Sequence, residues 1–145
     1  MIVGGGGGLN GCGLLDFQDA LIGSAAYDMV SLLEDARRDV KAETRTAVLD
    51  NYFRACPGVD RKAFEQDMAV LGAQRHTKIA GLFVRLSVQD GKHGYLSHLP
   101  RVLSLLEQAL AFPALHSVRS VMEKIVPGFT DPALAAKMIA SLTQE

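Results

Sequence analysis

The sequence predicts a mainly α-helical chain, five or six helices hung on one short strand near the N-terminus. Apolar residues recur at three- and four-residue spacing from Ala25 onward, the pattern of helices that bury one face. The helix-stopping pairs Pro57-Gly58, Asp90-Gly91 and Pro127-Gly128 divide that pattern into helix-sized lengths. Ahead of it, only Leu14-Leu15-Asp16-Phe17 reads as extended chain.

Residues 1–13 are dominated by glycine, which loses the most backbone freedom on ordering, so a flexible lead is expected there. Gly6, Gly8 and Gly11 match the G-x-G-x-x-G spacing, but only Met1-Ile2-Val3 precedes them and no helix follows, so the match carries little weight. After the strand at 14–17, Ser24 is placed to cap a helix over 24–40, with Ala25, Met29, Leu32, Leu33, Ala36 and Val40 along its apolar face. Further helices are expected over 42–56, 61–89, 99–111 and 114–126, the long 61–89 helix being opened by Asp60. Asp131 followed by Pro132 opens a short last helix, with proline in the first helical position. The chain thus divides into a lead (1–13), a helical body (14–130) and a short C-terminal helix or tail (131–145). A lone strand leaves backbone groups unpaired, and the preceding sequence offers little to pair with it, which points to a truncated unit.

Bulk properties narrow the functional classes. With 145 residues, 48% hydrophobic and 21% charged, the chain can bury the core of one domain and is not of disordered composition. The formal net charge is −1 and no run of Lys or Arg exceeds two residues, so a nucleic-acid partner is not expected. No apolar run reaches membrane-spanning length. Cys12 and Cys56 lie far apart with no CxxC pair, which argues against a zinc site or a disulfide framework and for a reduced, cytoplasmic protein.

Two places could carry chemistry. Asp16 ends an apolar strand ahead of a turn and a capped helix, where a carboxylate could hold a metal-bound phosphate; a surface or capping acid is the plainer reading of the residue alone. Arg75 lies four residues after Leu71 and four before Ile79, on the apolar stripe of the long helix. A buried guanidinium needs an anionic or polar partner, so Arg75 is expected to pair with Asp28 or another acid of the 16–28 segment, or to clamp an anionic group of a ligand. His76 and Lys78, on other faces, are expected to be solvated.

The segment GLLDFQDALIG at 13–23, followed by AAYDMVSLLEDAR at 25–37, resembles the metal-binding segment of aminoglycoside-phosphotransferase-like small-molecule kinases, which share the protein-kinase-like fold. It is most similar to the branch that phosphorylates N-acetylmuramate and N-acetylglucosamine. AQRHTKIAGLF at 73–83, Gly94-Tyr95-Leu96 and Leu99-Pro100-Arg101-Val102 match that branch too, so the resemblance runs from about 13 to about 127. It implies the helical C-lobe of such a kinase, using ATP and magnesium, with an amino sugar as substrate. Asp16 then takes the place of the magnesium ligand. Asp19 would assist through water or face the substrate, Asp28 would brace the catalytic loop, and Arg75 would line the substrate side or pair with one of these acids.

The sequence departs from that family where catalysis is concentrated. A His-Gly-Asp followed by Asn should precede the Asp16 strand, and only the glycine run does; His93-Gly94 is followed by Tyr95 and lies downstream in a turn. No catalytic residue is therefore assigned, and the N-terminal, ATP-covering lobe is expected to be missing. Two functions follow. The chain is part of an amino-sugar kinase, inactive alone, or it is a non-catalytic helical binding domain that keeps the kinase fold.

Overall fold

The computed structural model describes residues 22–143 together with two short strands, β1 (Ile2–Val3) and β2 (Cys12–Gly13). The strands pair antiparallel, Ile2 opposite Gly13 and Val3 opposite Cys12, within the glycine-rich stretch. The strand expected at 14–17 lies outside the described residues. The rest is helical, as the periodicity predicts: α1 (Ala26–Leu33), α2 (Ala42–Ala55), α3 (Arg61–Asp90), α4 (Leu99–Leu110), α5 (His116–Ile125) and α6 (Pro132–Leu142). Single 3-10 stretches lead into α4 (His93–His98) and α5 (Pro113–Leu115).

The helix ends follow local chemistry. Asp60 caps α3 by accepting from the N–H groups of Lys62 and Ala63, and Asp131 caps α6 through the N–H of Ala133, with Pro132 behind it. At the other end of α3, Gly91 takes φ +64, which costs glycine nothing, and the Lys92 N–H reaches back to the Leu86 carbonyl at 3.0 Å.

The first helix differs from the expectation. It stops at Leu33, not near residue 40, because Glu34 leaves the helical region at φ −124, ψ 52. Asp35 Oδ1 then accepts from the Arg37 N–H at 2.7 Å, a local turn that competes with continuing the helix. Farther along, Asp39 is gripped by both Arg101 Nε (2.7 Å) and Nη2 (2.8 Å) from α4. That fork holds the Asp39 carboxyl below its ordinary range. Val40 still packs on the core, but as part of a strap and not of a helix.

The long helix α3 is the spine. Its N-terminal half shares a core with α1 and α2, in which Ala26, Val30, Leu33, Leu49, Phe64 and Met68 are buried. Its middle packs on α4 through Ala73, Leu106 and Leu110, with Leu115 beside them. Toward its C-terminus Phe83 stacks on Tyr95, centroids 5.5 Å apart, and the buried Ser87 hydroxyl bonds His93 Nδ1 at 2.8 Å, which pins the following turn. Among the described residues no helix is long and apolar enough to cross a membrane.

One tie joins α4, α5 and the turn before α6. Glu107 Oε2 accepts from Thr130 Oγ1 at 2.7 Å and Oε1 meets the Arg119 guanidinium. Partial burial pushes the Glu107 carboxyl up, but Thr130 and Arg119 together outweigh it, so the group sits below the usual glutamate range. A depressed carboxyl stabilises the fold above its unfolded-state value, and that contribution is lost as pH falls through the depressed value. Titration from neutral pH to below the carboxylate range should therefore loosen the α5–α6 region, and Glu107→Gln should flatten that dependence when melting is followed against pH. An unchanged pH slope in the variant would remove Glu107 from the account.

Candidate functional site

Helix α1 packs on α3, and its two ends meet different residues of the long helix. At the N-terminal end, the Ser24 hydroxyl donates to Asp67 Oδ2 at 2.8 Å and Arg75 Nη1 donates to Tyr27 Oη at 3.0 Å. At the C-terminal end, Glu34 meets His76. Arg75 and His76 are chain neighbours, yet a 100° turn of helix separates their directions and sends them to different ends of α1.

Of the residues singled out from sequence, Asp16 and Asp19 lie outside the described residues. Asp28 stands in the first turn of α1, where an acid suits the helix dipole, and is exposed. Arg75 is half-buried and does not pair with Asp28. Its guanidinium lies over the Tyr27 ring, 5.5 Å from the centroid, and bonds the phenol oxygen. Its enclosed Nε has no hydrogen-bond partner among the described residues. Arg75 thus meets the ring and hydroxyl of Tyr27 in place of the Asp28 carboxylate, and the charge argument from sequence did not hold for Asp28. Arg75→Ala should cost about 1–2 kcal/mol, for one hydrogen bond and one cation–π contact. Tyr27→Phe keeps the ring and should cost about half as much. Denaturant melting of both variants checks this, and equal losses would mean that the ring contributes nothing.

The group that sequence reading missed is Glu34, His76 and Arg45. His76 is fully buried, against the expectation of a solvated side chain. Its Nε2 lies 2.8 Å from Glu34 Oε2; a carboxylate oxygen can only accept, so Nε2 carries the proton. Nδ1 is enclosed without a hydrogen-bond partner among the described residues. Arg45 Nη2, from the first turns of α2, donates to Glu34 Oε1 at 3.1 Å. The Glu34 carboxylate, 13% exposed, is thus held from behind by an imidazole and from the front by a guanidinium. Gly72 makes the approach possible: a Cβ there would lie 3.2 Å from Glu34 Oε2. The signal was present, because Met68, Gly72, His76 and Phe83 fall on one face of α3 at spacings of four, four and seven.

Glu34 and Arg45 open on a cleft of about 400 Å³ between α2, α3 and α4, with His76 buried behind Glu34. Glu34, Arg45, Glu65 and Gln108 supply its polar groups; Met68, Leu105 and Phe112 are among its apolar walls. Among the described residues, no three His, Cys, Asp or Glu side chains converge as a metal site would require.

The chain matches no protein-family model. It is 42% identical, over 115 residues, to the N-acetylmuramate/N-acetylglucosamine kinase of Caulobacter vibrioides, a match covering 79% of this chain and 32% of that protein. The proteins of the same name from Neisseria meningitidis serogroup B and Pseudomonas aeruginosa are 40% and 36% identical over 102 and 105 residues, covering 66% and 68% of this chain and 30% and 31% of their own lengths. This chain is a partial relative of the N-acetylmuramate/N-acetylglucosamine kinases. It spans about a third of the length of the curated relatives it matches. The resemblance read from residues 13–127 agrees with that relationship.

Proposed function

We propose that these residues form the helical part of an ATP-dependent kinase that transfers the γ-phosphate to a hydroxyl of an amino sugar. The single observation that carries this reading is the similarity to amino-sugar kinases, 42% identity across 79% of the chain. Asp16, a hard carboxylate oxygen donor, would hold the magnesium, with Asp19 beside it and Arg75 on the substrate side; bound there, the ion would neutralise charge on the nucleotide phosphates. Asp28, in the first turn of α1, would brace the kinase's catalytic loop, whose His-Gly-Asp motif these residues do not contain. The sugar ligand suits the chain's near-neutral charge better than a polycationic aminoglycoside, which needs an acid-rich pocket.

Phosphoryl transfer depends on positioning and on electrostatic stabilisation by several groups at once, and the 145 residues contain no His-Gly-Asp loop to orient the acceptor hydroxyl. The chain alone should therefore release no ADP from ATP with N-acetylmuramate or N-acetylglucosamine beyond an Asp16→Ala control. Joined behind the preceding part of the Caulobacter vibrioides relative, it should restore sugar-dependent ADP release, and Asp16→Ala should abolish it. A folded chimera without activity would sink the kinase reading and favour a non-catalytic binding domain; activity of the lone chain would overturn the claim of incompleteness.

A further inference from the structure

Glycine is unfavourable in mid-helix, and α3 holds it twice. Gly72 has its reason inside the chain, since a Cβ there would press on Glu34 Oε2 at 3.2 Å. Gly81 has no such reason. A Cβ at Gly81 would meet nothing within 4 Å among the described residues, and the residue is exposed. Its bare backbone faces outward at a place where alanine would make the free chain more stable.

The residues around Gly81 form one face of α3. Gln74, Lys78, Gly81, Arg85 and Val88 follow at spacings of four, three, four and three, and all five are exposed. Lys78, Gly81, Leu82 and Arg85 line a notch of about 270 Å³ where the glycine has no side chain. Cations elsewhere are answered within the chain: Arg61 by Glu65, Arg101 by Asp39 and Arg119 by Glu107. Lys78 and Arg85 form no ion pair among the described residues. Helix α3 itself cannot supply one there, because no Asp or Glu occurs from Met68 to Gln89.

Two unanswered cations astride a bare stretch of helix backbone fit a second helix laid across α3. Packed helices lie about 8–10 Å apart, and they come closest where the side chain at the crossing is smallest. Lys78 and Arg85 stand one turn before and one turn after Gly81, about 10 Å apart along the axis, within reach of carboxylates one turn either side of the crossing. Leu82 and the exposed Val88 supply apolar contact beside them. A second copy of α3 laid antiparallel would set Lys78 against Arg85, like charge against like. Nucleic acid and anionic membranes draw on many cations at once, and this face offers two. We propose that the face of α3 from Lys78 to Val88 docks an acidic amphipathic helix of a partner protein, seated across Gly81 and held by Lys78 and Arg85.

The test uses the 145-residue chain and a synthetic helical peptide of about 20 residues, long enough to hold helix in water. The peptide carries glutamate one turn before and one turn after a central alanine, with leucine on the same face. Titration followed by backbone amide NMR should give saturable shifts over 74–88. Lys78→Glu combined with Arg85→Glu should abolish binding, and a peptide with lysine in place of glutamate should bind that double variant. Gly81→Leu should weaken binding at least tenfold while raising the melting midpoint of the free chain, opposite signs that a merely structural glycine would not give. All three positions are exposed, so the variants should fold. No saturable shifts, or equal binding by Gly81→Leu, would overturn the proposal. So would a lysine peptide that binds the parent as tightly as the glutamate peptide does. Self-association of the parent that Lys78→Glu removes would replace the partner with a second copy, and shifts over 74–88 caused by phosphatidylglycerol vesicles but not by the peptide would replace it with a membrane. Neither sugar nor ATP enters the experiment, so the kinase reading stands or falls separately.

Discussion

Phe64→Ala should destabilise the chain by about 3–5 kcal/mol, and the damage should be concentrated in α2. Phe64 is 5% exposed and lies between Tyr52 and Phe53 of α2, centroids 5.0 and 5.3 Å away, with Tyr52 and Phe53 themselves 5.7 Å apart. Helix α2 has few other attachments. Leu49 is its only buried residue, and its polar ties, Arg45 to Glu34 and Asp50 to Arg61, are partly exposed pairs that contribute little. Removing the ring deletes the centre of the aromatic cluster and leaves a cavity that the rigid spine cannot close. Denaturant melting gives the total, and amide exchange gives the location: protection over Ala42–Ala55 should fall well before protection over α3 and α4. A loss under about 1 kcal/mol, or exchange that quickens in α4 as early as in α2, would show that α2 is held by something other than this cluster.

Much of this architecture is readable in the sequence, and the reason is local. Asp60 and Gly91 mark the ends of α3 through bonds within three to six residues of themselves, so a sequence window contains both partners. The same holds for Asp131 and Pro132 at α6. The end of α1 was not readable, although Ala36 and Val40 continue the helical spacing. The residues that turn the chain there act partly through Arg101, 62 positions from Asp39, and no local pattern contains that partner. Tertiary ties of this kind override a periodicity that is otherwise sound.

The site divides in the same way. Arg75 stands on the apolar stripe and does turn toward α1, but the residue it meets is Tyr27, one position before the acid that charge arguments select. Sequence alone shows which face a side chain occupies; it does not show which of two adjacent residues on the opposing helix stands at the crossing. His76 was misread because a histidine beside an arginine and near a lysine reads as part of a polar patch. Its true neighbours, Gly72 and Phe83, are one and two turns away on the same face, and its partner Glu34 is 42 positions distant. Asp16 and Asp19 are legible only through resemblance, since an acid at the end of a short apolar run has many ordinary explanations.

Glu34→Ala should cost on the order of 3 kcal/mol, more than a partly exposed acid normally would. The variant strands the buried His76 Nε2–H, whose ring already has an unpaired Nδ1, and frees Arg45 from its only carboxylate among the described residues. Glu34→Gln keeps an oxygen that can accept from Nε2 and should recover most of the loss. Gly72 supplies an independent check through a change of sign. In the parent, Gly72→Ala forces a methyl to 3.2 Å from a carboxylate oxygen that His76 and Arg45 hold in place, so the gain of about 1 kcal/mol expected for alanine in mid-helix should be cancelled or reversed. In the Glu34→Ala background the obstructing oxygen is gone, the next contacts lie at 3.7 and 3.8 Å, and the same substitution should stabilise by about that amount. Four melting curves, for the parent, each single variant and the double, decide it. Additive effects would mean that Glu34 is not held against Gly72, and a Glu34→Ala variant that melts with the parent would show that His76 does not depend on it.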